Sequence, residues 1–241
     1  MPRLRIAAFQ RAPLFDDIPG VLDRLRADLA WCAAQAIDLA VFPECYLQGY
    51  ASDRATIARR AIGIDSDAMQ GLLAVTAGTG TELILGFAER RGAGCYNSAA
   101  VLGNGVLRGV YAKTHPNEPG FDAGAGYPVF DLGAWRYGIN ICNDANFPEA
   151  ARAVGEQGAG LLCYPLNNML RPAVAEAWRS RSLDKLQARA RETRCWVASA
   201  DVVGAHEGRV AHGCTCIVSP EGEVAARVAE GAEGVAVFDL P

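Results

Sequence analysis

The chain has 241 residues, 51% hydrophobic and 21% charged, enough apolar material for a large core and outside the disordered class. Lysine and arginine number 23 against 27 aspartates and glutamates, a net charge of −4 that excludes the basic footprint of a nucleic-acid binder. No uninterrupted apolar stretch reaches the roughly 18 to 20 residues of a membrane helix, and Met1-Pro2-Arg3-Leu4-Arg5-Ile6 leads to polar Gln10 without a signal-peptide core. The expectation is a soluble cytoplasmic protein, without membrane or nucleic-acid partners, whose eight cysteines are free thiols. With no internal repeat and no low-complexity linker, residues 1–241 read as one domain.

In chain order, Leu4–Phe9 is predicted as a strand. Gly20–Gln35 follows as a helix with Val21, Leu22, Leu25, Leu29 and Cys32 at helical spacing, then Leu39–Phe42 as a buried strand. Asp67–Ala77 reads as a helix and Leu83–Ala88 as a strand. Ser98–Leu102 and Val106–Tyr111 form a hairpin around Gly103-Asn104-Gly105, residues that tolerate positive φ, so the sheet is mixed. The segment from Lys113 to Tyr127, punctuated by proline and glycine, is a long loop of the kind that usually carries function. Val129–Leu132 and Trp135–Ile141 are predicted strands, Pro148–Glu156 a helix, Gly160–Tyr164 a strand and Ala175–Thr193 one long amphipathic helix. Cys195–Ala200 and strands near 212–218, 223–229 and 234–239 complete the chain, with a turn at Pro220-Glu221-Gly222. Two α/β halves that each pack helices on one face would stack sheet to sheet with helices outside.

Three reactive residues share one context, the end of an apolar strand: Glu44 after Leu39–Pro43, Lys113 after Val110-Tyr111-Ala112, and Cys142 after Gly138–Ile141. Strand ends are where ligand and catalytic groups gather in α/β sheets, so the three can converge on one cleft. Each alone has a plainer reading: a surface carboxylate, a lysine reaching for water, a small buried hydrophobe. Cys142 stands out because Pro148 and Glu149 open a helix soon after it, and a thiol between strand end and helix start gains exposure and thiolate character.

Phe42-Pro43-Glu44, Tyr111-Ala112-Lys113-Thr114-His115 and Ile141-Cys142-Asn143-Asp144-Ala145-Asn146-Phe147-Pro148-Glu149 resemble, in order and spacing, the three signature blocks of the nitrilase, or carbon-nitrogen hydrolase, superfamily. The likeness runs on through Tyr164–Met169, Ala188–Arg194 and Ser219-Pro220-Glu221-Gly222, nearly the whole chain. It implies a four-layer αββα sandwich of two mixed sheets, with Glu44, Lys113 and Cys142 as catalytic triad and the Asn143 backbone N–H as oxyanion donor. It also implies a second glutamate in the loop between lysine and cysteine. Glu118 is the only glutamate there, in a loop shorter than the family's usual one. Cys45, Tyr50, His115, Asn146, Asn167 and Asn168 are the candidates for the pocket wall. No metal and no cofactor are expected, and the resemblance implies a homodimer or larger homo-oligomer joined through outer helices.

The implied activity is hydrolysis of a small carboxamide through a thioester, with N-carbamoyl amine hydrolysis, nitrile hydrolysis and an idle ligand-binding role as rivals. Cys142-Asn143-Asp144 resembles the N-carbamoyl-D-amino acid amidohydrolases, but Ala145 and Asn146 stand where those carry carboxylate-gripping arginines. The substrate is therefore expected to be uncharged or anchored differently. Arg171 reads as solvated. A thiol dyad of Cys142 with His115, His206 or His212 lacks an orienting partner, and Cys214-Thr215-Cys216 reads as core rather than metal site.

Overall fold

The computed structural model describes residues 3–241. Its first half contains β1 (Leu4–Gln10), α1 (Ile18–Ala34), β2 (Leu39–Val41), α2 (Arg54–Arg60), α3 (Asp67–Thr76), β3 (Glu82–Arg91), β4 (Gly94–Gly103) and β5 (Val106–Ala112). The second contains β6 (Val129–Leu132), β7 (Trp135–Ile139), a 3-10 turn (Cys142–Asn146), α4 (Pro148–Gly155), β8 (Leu161–Pro165), α5 (Pro172–Trp178), α6 (Arg181–Thr193) and β9 (Trp196–Ala200). A small hairpin of β10 (Gly204–His206) and β11 (Arg209–Ala211) precedes β12 (Cys216–Val218), β13 (Val224–Arg227) and β14 (Gly234–Leu240).

Two six-stranded mixed sheets result, ordered β14-β1-β2-β3-β4-β5 and β13-β12-β9-β8-β7-β6. In each, three parallel strands sit at the centre, β1-β2-β3 and β7-β8-β9, with antiparallel partners outside. Strand alternation makes each sheet two-faced. Ile6, Leu39, Val41 and Ile84 of the first sheet pack on Tyr137, Ile139, Cys163 and Ala198 of the second in one central core. The opposite face of the first sheet, including Phe9, Ala40 and Leu83, is covered by Val21, Leu25 and Leu29 of α1 and by Met69 and Leu72 of α3. The outer face of the second sheet, including Leu162, Tyr164 and Val197, is covered by Ala151 and Val154 of α4 and by Leu186 and Ala190 of α6. The layers are helix, sheet, sheet, helix, and β14 returns to pair with β1, so the C-terminal strand completes the first sheet.

Several elements differ from the sequence reading. The single helix expected over 175–193 is two. The chain stays in the right-handed region at Arg179 and Ser180, but α5 closes with a tighter bond from the Arg179 N–H to the Glu176 carbonyl. Pro172 suits the first turn of α5, so that helix begins earlier than expected. α2 was not expected, although Asp53 accepts from the Thr56 N–H (2.9 Å) as an N-cap. The strand expected from 212 begins only at Cys216, because Gly213 turns at φ +84° where the Gln10 side chain fills the space a Cβ would take. Just before it, β10 and β11 turn at Glu207-Gly208, both with positive φ. All eight cysteines are free thiols, and among the described residues no helix is long and apolar enough to cross a membrane.

Candidate active site

β2, β5 and β7 deliver their C-terminal ends to one edge of the sandwich. Just beyond β2, the Glu44 N–H donates to the Leu166 carbonyl beyond β8 (3.1 Å), tying the two sheets together at this edge. Glu44 and Lys113 are both 1% exposed, and Lys113 Nζ donates to Glu44 Oε1 at 2.7 Å. The same oxygen accepts from Asn97 Nδ2 of β4 (2.7 Å), while the buried Oε2 has no hydrogen-bond partner among the described residues. Oε1 is therefore held from two sides and Oε2 is left with both lone pairs available.

Glu118 sits on the other side of the lysine. It is 6% exposed, 3.6 Å from Lys113 Nζ, and accepts from the Tyr50 hydroxyl. A loop carboxylate is ordinarily solvated; burial against an ammonium and a phenol marks this one as part of the site. Gly124 keeps the loop close, donating its N–H to the Lys113 carbonyl at 2.8 Å.

Cys142 opens the 3-10 turn with φ +40°, a left-handed conformation that a non-glycine residue adopts only when its surroundings enforce it. Asp144 supplies that enforcement. Its carboxylate accepts from the Ile141 N–H (2.8 Å), the Tyr111 hydroxyl (2.8 Å) and the His115 N–H (2.9 Å), so one buried side chain staples the cysteine turn to the segment after β5 that bears Lys113. From α6, buried Arg189 donates to the Ala145 carbonyl at 3.0 Å and braces the same turn.

Burial pushes the Cys142 thiol well above its ordinary pKa and the Glu44 carboxylate pushes it further; Lys113 and the Asn167 backbone N–H pull it back only in part. Desolvation and a neighbouring negative charge thus work against the thiolate character expected from its position before a helix. Burial likewise raises the Glu44 carboxyl, which makes it a better proton acceptor, with Lys113 opposing. Burial also disfavours the Lys113 charge, but Glu44, Cys142 and Glu118 together hold the ammonium above its usual range.

The adjoining cavity has a volume of about 240 Å³ and is lined by Tyr50, Glu118, Cys142, Asn143, Asn146, Asn167 and Asn168, all singled out from sequence. Cys45 and His115 do not reach it. Cys45, at φ +48°, turns its buried thiol toward Asn97 Oδ1 (3.5 Å) and packs with Ile57, Cys95 and Phe121. His115 stacks on Phe147 with ring centres 3.7 Å apart and places Nδ1 3.1 Å from Asp144. Arg171 is exposed at the N-terminus of α5 and is absent from the lining. Sequence reading missed Asn97, a buried polar residue inside a strand, and the far wall built by Leu170, Val174, Trp178, Ser182, Lys185 and Leu186.

A family profile described as carbon-nitrogen hydrolase matches residues 5–241. The chain belongs to the carbon-nitrogen hydrolase family. Over 214 residues it is 34% identical to a nitrilase of Pyrococcus abyssi, covering 86% of this chain and 78% of that protein. It is 30% identical over 225 residues to an (R)-stereoselective amidase of a Pseudomonas species, covering 92% and 79% respectively. An amidase from Nesterenkonia sp. superposes with a TM-score of 0.86 at 25% identity over 99% of this chain and 90% of its own. This carbon-nitrogen hydrolase is an enzyme of the amidase-like branch of the nitrilase superfamily, and the two-sheet sandwich expected for it is the one observed.

Proposed function

We infer that the protein is a cysteine amidohydrolase that cleaves the C–N bond of a small carboxamide through a thioester on Cys142. The observation that carries this reading is the buried Glu44 Oε2, without a hydrogen-bond partner among the described residues, in a site that also holds Lys113 and Cys142. Oε2 takes the thiol proton, and the thiolate attacks the amide carbon. The Lys113 ammonium and the Asn143 N–H, which as an early turn residue lacks a partner within the turn, face the oxyanion that develops. Such donors typically contribute about 3 kcal/mol each to the transition state. Glu44 returns its proton to the departing ammonia, then draws a proton from water as that water attacks the thioester and releases the carboxylic acid. Glu118, bonded to Tyr50 and paired with Lys113, keeps the ammonium directed and counters its charge.

Two further observations support a carboxamide. A mutant of an amidase with this fold carries the acetamide moiety of fluoroacetamide covalently on its active-site cysteine. The cavity is also smaller than the 300 Å³ or more typical of drug-sized ligands, and its wall near the cysteine is rich in asparagine. The eight free thiols support a reducing, cytoplasmic setting, and a homodimer through the outer helices is part of the same reading.

Mass spectrometry of the native protein quenched during turnover of short aliphatic amides tests the mechanism. An acyl adduct should appear on the peptide carrying Cys142 and vanish in Cys142→Ala, together with ammonia release. Ammonia release that persists in the alanine variant would overturn the assignment.

A further inference from the structure

The amidase reading leaves the non-reacting end of the substrate unassigned, and the far wall of the cavity bears on it. Leu166, Leu170, Trp178 and Leu186 line a path suited to an alkyl chain. Most of the polar lining groups are already engaged. The Asn143 amide donates to the His115 carbonyl (2.8 Å), that of Asn146 to Asn143 (3.0 Å), that of Asn167 to the Glu44 carbonyl (3.5 Å) and that of Asn168 to Asp201 (2.7 Å). Ser182 and Lys185 differ. They stand three residues apart on α6, hence on one face, both half-buried and both on the cavity wall. Among the described residues neither the hydroxyl nor the ammonium has a hydrogen-bond partner, and no carboxylate lies within 4 Å of the Lys185 nitrogen.

The placement of the charged groups points the same way. Glu118 and Lys185 are the acidic and basic side chains of the lining, and Glu118 already faces Lys113, which it shares with Glu44. Lys185 is thus the cation of the lining without an ion-pair partner among the described residues, with a hydroxyl donor one helical turn before it. At the start of this wall, Ala145 and Asn146 offer no cation.

We propose that Ser182 and Lys185 anchor a carboxylate at the end of the substrate remote from the amide, so that the preferred substrates are monoamides of short dicarboxylic acids. The proposal rests on the amidase reading above. The ammonium pairs with one carboxylate oxygen while the hydroxyl donates to the other, and the alkyl chain between spans the apolar wall toward Cys142.

Succinamate and butyramide have the same chain length and differ in the terminal carboxylate, so steady-state ammonia release from the pair tests the anchor. For the native enzyme, kcat/KM for succinamate should exceed that for butyramide by about tenfold or more, mainly through KM. In Lys185→Met that ratio should fall about tenfold, while Lys185→Arg should keep it within about threefold. Ser182→Ala should lower it by a smaller factor. Turnover of butyramide with no preference for succinamate, or a ratio unchanged in Lys185→Met, overturns the anchor and leaves the amidase reading standing. Hydrolysis of neither amide, with no acyl adduct on Cys142, overturns both.

Discussion

Asn97→Ala isolates the contact that tunes the candidate base. Asn97 Nδ2 lies 2.7 Å from Glu44 Oε1, both groups are buried, and the bond favours the ionised carboxylate, so it lowers a pKa that burial raises. A hydrogen bond to a charged group contributes about 1.5–3 kcal/mol. Part of that favours the ionised form, so its loss raises the Glu44 pKa further. The reactive form carries Glu44 as carboxylate, so activity is lost as pH falls through this pKa. The acidic limb of kcat/KM should therefore move to higher pH, with the rate on the plateau above it largely retained because Lys113 still holds Oε1. The assay is ammonia release as a function of pH for native and variant enzymes, with thermal unfolding to establish that both are folded. An acidic limb that stays within about 0.3 unit of the native one would show that Asn97 does not tune the base.

Lys113→Ala removes the ammonium shared by two buried carboxylates, Glu44 and Glu118. Turnover should be lost, and breaking the buried pair should cost about 3–5 kcal/mol, seen by calorimetry as a Tm lower by roughly 6–20 °C. The deficit should shrink in acid, because a carboxyl whose folded pKa is raised contributes its stability at low pH and loses it as pH rises through that pKa. A native-like Tm at neutral pH would contradict the buried ion pair. Gly86→Ala places a Cβ 2.4 Å from the Pro43 carbonyl oxygen, 2.5 Å from the Cys45 nitrogen and 2.7 Å from the Glu44 Cα. These are backbone atoms, so the Glu44 loop must shift; the expected cost is about 1–3 kcal/mol of stability and on the order of a hundredfold in kcat, checked by unfolding and ammonia release.

The route of the chain to the site was legible where chemistry and periodicity coincide. Glu44, Lys113 and Cys142 each follow an apolar run, and a strand end is a local feature that a sequence displays. Cys45 and His115 show where locality ends. Each neighbours a site residue, and each faces away from the cavity, one through a left-handed turn and the other because Asp144 and Phe147 hold its ring.

Fold class, the strand alternation and the three reactive residues were present in the order of the amino acids, because burial periodicity and residue chemistry are properties of short segments. The tertiary structure alone decided which oxygen of Glu44 is free, that the surroundings of Cys142 push its thiol pKa up, and that the helix expected over 175–193 breaks into α5 and α6 with Ser182 and Lys185 on the cavity wall. Those outcomes depend on groups far apart in the chain, Asn97 beside Glu44 and α6 beside Cys142. Desolvation and electrostatic coupling act through space and leave no periodic mark in the sequence.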